Sequence, residues 1–379
     1  MAPQKEEETL FRLNKKFDFW ILLIVLILLS IGIIMVFSAS GPTAQNTKAA
    51  NNDIYHYLKN QLIFAVIGLG GMFILMNLDY KIYKKFAGFI FILSIILLIA
   101  VFIPGIGKSI KGARRWINIP GTSFQPSEFA KFAIVVYFAA MLSRKKTDLR
   151  NFVSGLCPYI GIIILYGGLL FLEPHMSGFI VIALVGCIIL FAAGAKIKHF
   201  LLMGTVAVPA LAALAILEPY RLRRLTAFID PFADPQNDGW QIVNALYAIG
   251  SGGLFGRGLG QSLQKYLYLP EPQNDFILAV IGEELGFVGV VTIIFLFCLF
   301  FWRGTKVAMQ TPDMFGSLLA IGIVGIFAVQ VVINIAVVTS SMPVTGMQLP
   351  FFSAGGSSLT IFLCEVGILL NISGQVQEK

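Results

Sequence analysis

The sequence predicts an all-α polytopic membrane protein with about ten transmembrane helices and one long, partly helical extracellular loop between spans 7 and 8. Three observations predict it. Hydrophobic residues make up 57% of the 379 and charged residues only 13%, too few to cover a water-soluble fold. Apolar runs near 17–38, 59–78, 86–104, 126–142, 153–172, 177–193, 200–217, 277–302, 314–339 and 355–373 approach the roughly 20 residues that cross a ~30 Å hydrocarbon core. The fourth, sixth and seventh runs, at about 17 residues, are also the length of a long buried helix. Lysine and arginine, finally, segregate to alternate loops. Lys15, Lys16, Lys81, Lys84, Lys85, Arg144, Lys145, Lys146, Arg150, Lys196, Lys198, Arg303 and Lys306 fall on one side.

By the positive-inside bias that side is cytoplasmic, which places both termini there and makes the first span an uncleaved signal anchor. The expected organisation is a cytoplasmic tail over 1–16, a single membrane domain over 17–373 that includes the loop 218–276, and a cytoplasmic tail over 374–379. Inside anchoring accounts for most of the net charge of +8, so nucleic acid is not an expected partner. Cys157, Cys187, Cys298 and Cys364 lie in or beside apolar runs without CxxC spacing, which argues against a zinc or disulfide framework.

Three outer segments are too polar to be mere connectors. Residues 107–125 carry Arg114, Arg115 and Trp116, which either anchor a span at the headgroups or offer guanidinium forks to phosphate. Residues 218–276 form the one long loop, where Trp240, Ile242, Val243, Leu246 and Ile249 recur at the spacing of an interfacial helix. Arg221, Arg223 and Arg224 are interleaved with Leu222, Leu225 and Phe228 in the same manner. The stretch GLFGRGLG (253–260), which includes Arg257, lacks dinucleotide spacing and a preceding strand, and is expected to make tight turns. The loop ends at Asp275, where the eighth span starts; position alone suits an N-cap. The third segment, 342–358, is rich in Gly, Pro and hydroxyls, including Ser357 and Ser358, and could donate hydrogen bonds to a polar headgroup.

An ionisable group at mid-bilayer costs about 3 kcal/mol or more, so those within the spans require a reason. Glu128 and Lys131, three apart on the fourth span, can pair as a structural clamp or line a polar cavity together with Glu283. Glu284 points to a different side of its helix from Glu283. Glu173, Pro174 and His175 stand at the outer end of the fifth span, His175 as a solvated turn residue, while Gln330 and Asn334 are placed to bond between helices.

Four ordered blocks resemble one family, the shape, elongation, division and sporulation (SEDS) proteins that include FtsW, RodA and SpoVE. They are GARRWINIPGTSFQPSEFAK (112–131), DPFADPQNDGWQ (230–241), GLFGRGLGQSLQKYLYLPEPQNDFILAVIGEELGFVG (253–289) and PVTGMQLPFFSAGGSSL (343–359), spread over essentially the whole chain. The resemblance implies a peptidoglycan glycosyltransferase that polymerises lipid II at the outer face of the bacterial cytoplasmic membrane, releases undecaprenyl pyrophosphate and works with a class B penicillin-binding transpeptidase. It implies that Asp275 is the acid needed for polymerisation, and that Glu128 and Lys131 match the family's polar pair. Two departures stand out: Gln273-Asn274 replaces the His-Thr that many members have before the acid, and Pro174-His-Met-Ser-Gly178 replaces Pro-Asp-x-Gly. The run Ile281-Gly-Glu-Glu-Leu-Gly286 looks closer to the division and sporulation branch.

Under that resemblance Asp275 is either the general base for the acceptor sugar's 4-hydroxyl or a ligand for a divalent Mg or Mn ion at the pyrophosphate. Arg114, Arg115, Arg221, Arg223, Arg224 and Arg257 are the candidate pyrophosphate receivers. Two rivals are a lipid II flippase, with Glu128, Lys131 and Glu283 as its pathway, and a noncatalytic scaffold for division partners.

Overall fold

The computed structural model describes residues 17–47, 52–110, 112–119, 122–144, 149, 151–217 and 219–376. Twelve helices are described: α1 (Phe19–Asn46), α2 (His56–Asn77), α3 (Lys81–Ala100), α4 (Pro126–Leu142), α5 (Cys157–Leu172), α6 (Met176–Ala192), α7 (Ile197–Leu217), α8 (Pro219–Ile229), α9 (Trp240–Gly252), α10 (Ile277–Gln310), α11 (Met314–Val338) and α12 (Gly356–Ser373). One π-helical turn, Phe152–Leu156, leads into α5.

Among the described residues seven helices are long and apolar enough to cross a membrane: α1, α2, α3, α5 with its π-turn, α10, α11 and α12. The α6 helix and the start of α7 are apolar but shorter. The α4 helix is 17 residues long, or about 26 Å at the helical rise, and carries Glu128 and Lys131 in its first two turns. Exposed Ile, Leu, Val and Phe side chains cover the outside of the bundle, for example Ile63, Val66, Phe89, Phe295 and Val332. Such a surface belongs against lipid.

Within the bundle, small residues let helices approach where no water-driven force presses them together. The α2 and α12 pair approaches closely: a Cβ at Gly367 would lie 2.4 Å from the Met72 carbonyl oxygen, and one at Gly68 would lie 2.6 Å from Leu363. A tier of rings, Phe300, Phe327, Phe351 and Phe362, fills the centre where α10, α11 and α12 meet the loop before α12. At the α1 end, Asp18 caps α1 by accepting from the backbone N–H groups of Trp20 and Ile21 and pairs with Arg303 at 2.5 Å.

The all-helical expectation misses one element. Residues 107–124 contain a three-stranded antiparallel sheet, β1 (Gly107–Ile110), β2 (Ala113–Ile119) and β3 (Thr122–Phe124), in the order β1-β2-β3. Lys108 lies opposite Trp116, and Ile117 opposite Phe124. Ile117, Asn118 and Ile119 alternate β-branched and polar residues along β2, a pattern hidden when the segment is read only for its cations. The long loop, in contrast, contains the two helices expected of it, α8 and α9.

Candidate functional site

Two independent rulers place the polar groups along the bundle. Along α1, Ser38 is 20 residues beyond Asp18, about 30 Å, and its hydroxyl donates to Glu284 at 2.7 Å. Along α10, Arg303, which holds Asp18, is 19 residues from Glu284, about 28 Å. The two agree: Glu284 stands about 28–30 Å from the Asp18–Arg303 pair, a separation that matches the ~30 Å thickness of a hydrocarbon layer. Ile277, the first residue of α10, is seven residues or about 10 Å beyond Glu284, and Asp275 lies two residues before it.

Asp275 is not the N-cap residue of α10; that residue is Phe276, which makes no side-chain cap hydrogen bond. The segment is instead gripped by the loop before α12. Ala354 N–H donates to the Gln273 carbonyl at 2.8 Å and Ser353 Oγ to the Asn274 carbonyl at 2.7 Å. Asn334 Nδ2 on α11 donates both to the Asp275 carbonyl at 2.9 Å and to the Met347 carbonyl at 2.7 Å. Gly346, at φ +69°, passes so near that a Cβ there would sit 3.2 Å from Asp275 Oδ2. Alanine at that position should therefore displace the carboxylate and strain the left-handed backbone. Gly346→Ala is expected to lower turnover about 10-fold or more with the protein still folded, checked by glycan synthesis beside a melting curve.

The α5–α6 turn joins the same loop. Ser177 Oγ donates to the Thr345 carbonyl, and Arg224 NH1 from α8 donates to the Val344 carbonyl at 2.7 Å. Neighbouring strand residues point to opposite faces, which separates the two arginines of β2. Arg115 Nε donates to the Glu173 carbonyl at 3.2 Å and its NH2 to the Pro174 carbonyl, whereas Arg114 is exposed. Arg223 is exposed on α8, and the Arg221 side chain lies outside the described residues. Arg257 is 3.6 Å from Glu283 and half-turned to the surface.

Polar atoms that are buried without a hydrogen-bond partner gather around this junction. Among the described residues they include both carboxylate oxygens of Glu173, His175 Nδ1, Ser127 Oγ, Gln273 Oε1, Asn334 Oδ1 and Thr345 Oγ1. Such atoms are scarce in native proteins, so their concentration on the segments around Asp275 marks a place for water or a polar ligand. His175 is thus buried, not the solvated turn residue expected from sequence. Burial drops its imidazole to about 3, with Arg115 and Lys131 adding to the effect. Burial lifts the Glu173 carboxyl to about 8, against the lowering pull of Arg115.

Those shifts have opposite consequences for stability. Glu173, raised above its ordinary 4.5, contributes stability in full below about pH 4.5 and loses it as pH climbs through about 8. His175, depressed from 6.5, contributes above pH 6.5 and loses that contribution as pH falls toward 3. Glu173→Gln is expected to flatten the decline in melting temperature between pH 4.5 and 8 and to leave the acid limb unchanged.

Deeper in the bundle, Glu128 and Lys131 pair at 2.7 Å, both buried. Lys131 Nζ also donates to Gln330 Oε1 at 2.9 Å and lies 5.7 Å from the Phe362 ring centroid. This ties α4 to α11 and α12, as a clamp does. Glu365 on α12 has Lys131 and Glu128 as charged neighbours, and neither of its oxygens has a hydrogen-bond partner among the described residues. Glu283 is not placed with that pair. Its carboxylate accepts from Leu263 N–H at 2.9 Å, Gln264 N–H at 3.2 Å and Ser262 Oγ at 2.6 Å. Ser357 Oγ accepts from Gln125 N–H at 3.3 Å, tying the start of α12 to the N-cap of α4, and Ser358 Oγ donates to Gln348 Oε1 at 2.6 Å, tying it to the loop before α12.

Among the described residues no group of three or more His, Cys, Asp or Glu side chains could hold a metal. A divalent ion at Asp275 would need substrate oxygens as co-ligands, which is the usual way Mg²⁺ is held.

The family model described as "cell cycle protein", built on FtsW, RodA and SpoVE, matches residues 19–378. The chain belongs to the FtsW/RodA/SpoVE family. Among its relatives, a probable peptidoglycan glycosyltransferase FtsW of Trichlorobacter lovleyi is 46% identical over 365 residues, covering 96% of this chain and 94% of the relative. The stage V sporulation protein E of Bacillus subtilis is 43% identical, covering 94% and 96%. Of solved structures, a chain from a peptidoglycan synthase complex that coordinates polymerization and crosslinking matches with a TM-score of 0.78 at 28% identity, over 96% of this chain and 99% of that one. The rod shape determining protein RodA of Thermus thermophilus matches at 0.71 and 27%, over 96% and 98%. A RodA variant in which an aspartate is replaced by alanine matches equally well. The chain therefore has the RodA-type fold of its family.

Three placements are not legible in the sequence. Asn334, spaced for a helix–helix bond, holds the backbone of Asp275. Glu365 is buried on α12, where an acid inside an apolar run is the usual signal of a required group. Lys265, buried against Glu284 at 2.7 Å, gave no local signal, because its partner is 19 residues away.

Proposed function

We propose that this protein is a peptidoglycan glycosyltransferase that polymerises lipid II at the outer face of the cytoplasmic membrane. The observation that carries this reading is the setting of Asp275: an acid at headgroup level, held by its backbone from two sides, amid buried polar atoms that await partners. The names of the FtsW relatives and the peptidoglycan synthase complex support the same chemistry.

In this reading Asp275 takes the proton of the acceptor sugar's 4-hydroxyl. The oxygen then attacks the donor's anomeric carbon from the face opposite the pyrophosphate, the glycosidic bond forms with inversion, and undecaprenyl pyrophosphate departs. Arg114 and Arg223, the exposed cations of β2 and α8, receive the departing charge in this reading. Arg115 and Arg224 hold the rim together instead. A Mg²⁺ or Mn²⁺ ion held by Asp275 and the pyrophosphate would stabilise the same leaving group. Charge reversal at Arg114 is expected to raise the apparent KM for lipid II with little change in folding; an unaltered KM returns it to anchoring.

The membrane arrangement that fits is ten spans, with α4, α6 and α7 joining the seven longer ones and both termini cytoplasmic. A phosphatase fused within 230–239 is expected to be active, and one fused after Lys379 inactive. The chain is expected to work beside a class B penicillin-binding transpeptidase, since its structural neighbour belongs to a complex that polymerizes and crosslinks. Polymer formation by the purified chain from lipid II, lost in Asp275→Asn, tests the proposal.

A further inference from the structure

The α10 helix is broken at Gly286, whose φ of 68° and ψ of −168° leave the helical region. The segment that follows α9 fits into this break, backbone against backbone. Phe287 N–H donates to the Gly253 carbonyl at 2.9 Å and Val288 N–H to the Leu254 carbonyl at 3.0 Å. In return Arg257 N–H donates to the Glu283 carbonyl at 2.9 Å and Gly258 N–H to the Glu284 carbonyl at 3.0 Å. A Cβ at Gly286 would lie 2.2 Å from Gly256 N, so no side chain fits there.

Depth follows from the rulers above. Val288 is four residues, about 6 Å, nearer the Asp18–Arg303 plane than Glu284. Exposed Phe19, Trp20 and Trp302 surround that plane as an aromatic belt would. Leu254, bonded to Val288, is thus about 22–24 Å from the near boundary of a ~30 Å layer, inside the hydrocarbon.

Irregular backbone survives at that depth only if its polar groups are satisfied by protein. Here the broken backbone of α10 does this for Gly253, Leu254, Arg257 and Gly258, and two buried acids do it for amides within residues 260–264. Glu284 accepts from Gly260 N–H at 3.0 Å, Ser262 N–H at 3.3 Å and Lys265 Nζ at 2.7 Å, while Glu283 takes the N–H groups of Leu263 and Gln264. With Lys265 and Arg257 nearby, the two negative charges meet two positive ones. The side chains turn the other way: Leu254 is 64% exposed, Phe255 78%, and Leu259 and Leu263 are exposed beside them. They continue the lipid-facing stripe of Phe287, Val288, Val291 and Phe295 on α10, and exposed Tyr266 and Tyr268 follow at the level of an interface.

We propose that residues 253–265 form a re-entrant loop that dips into the Asp275-side leaflet and presents Leu254, Phe255, Leu259 and Leu263 to lipid acyl chains. Glu283 and Glu284 are then neither a transport pathway nor catalytic groups; they replace water as acceptors for backbone amides below the membrane surface. This proposal does not depend on the chemistry of Asp275.

The test is tryptophan fluorescence of the full chain in vesicles of phosphatidylglycerol with brominated acyl chains, compared with aqueous acrylamide. The emission added by Phe255→Trp, over the native tryptophans, is expected to fall by about half with bromolipid and to resist acrylamide, as it does for Phe295→Trp on α10. Quenching by acrylamide would overturn the proposal by placing the loop in water. Insensitivity to both would overturn it by placing the residue against protein. Leu259→Trp, on the same surface, gives an independent reading should Phe255→Trp fail to fold.

Discussion

Asp275→Asn is expected to reduce lipid II polymerisation by about 10²–10⁴-fold, the usual worth of a positioned proton acceptor, while leaving the melting temperature nearly unchanged. The small structural effect follows from how the residue is held. Its carbonyl, not its carboxylate, receives Asn334, and the flanking bonds use the carbonyls of Gln273 and Asn274. Asparagine keeps every one of these backbone contacts and removes the charge of the carboxylate. Asp275→Glu keeps the charge but extends the side chain toward Gly346, where even an added Cβ would sit 3.2 Å from Oδ2. It is expected to be impaired as well, though less than Asn. Single-turnover measurements with saturating lipid II would place both losses in the chemical step rather than in binding. A manganese titration separates the two roles of the acid: partial recovery of Asp275→Asn at high Mn²⁺ points to a metal-bridging role, and none points to the base.

Lys131→Met is expected to produce the largest loss of stability, about 3–5 kcal/mol, because it removes the one ammonium that faces two buried acids. Glu128 pairs with it at 2.7 Å, and Glu365 lies close enough to feel it. Without Lys131 the Glu128 carboxylate would lose its counter-charge, Gln330 its donor and Glu365 its cationic neighbour. Methionine fills nearly the same space, so the cost is electrostatic rather than a cavity. Combining Lys131→Met with Glu128→Gln is expected to recover part of the loss, and adding Glu365→Gln to recover more, read as the shift in thermal unfolding of detergent-purified protein. If Lys131→Met melts with the wild type, the clamp carries no stability and the pair is free for another role.

The helical membrane architecture was legible because it depends on local composition. Apolar runs such as 314–339 need no partner to be recognised, and the structure has α11 over Met314–Val338. The same holds for α9, where helical spacing of Trp240, Ile242 and Val243 was enough. Asp275 was visible only as a position at a helix start, where cap and catalyst look alike; the family resemblance, not spacing, separated them. What stayed hidden depends on contacts between distant segments. The grip of Ser353 on Asn274 joins residues 79 apart, and Ser38 reaches Glu284 over 246. Glu283 shows the limit most clearly. Its burial could be anticipated, but whether it lined a cavity or satisfied loop amides depended on where residues 260–264 travel, and no periodicity encodes that.

The central claim is that this chain itself joins lipid-linked sugars, rather than moving or merely organising them. The most direct measurement is reconstitution of the purified full chain, with a class B transpeptidase, into vesicles that carry lipid II on the accessible side. The predicted result is glycan polymer with release of undecaprenyl pyrophosphate, absent when Asp275→Asn replaces the wild type. Inside-to-outside movement of lipid II with no polymer, equal in wild type and Asp275→Asn, would contradict it.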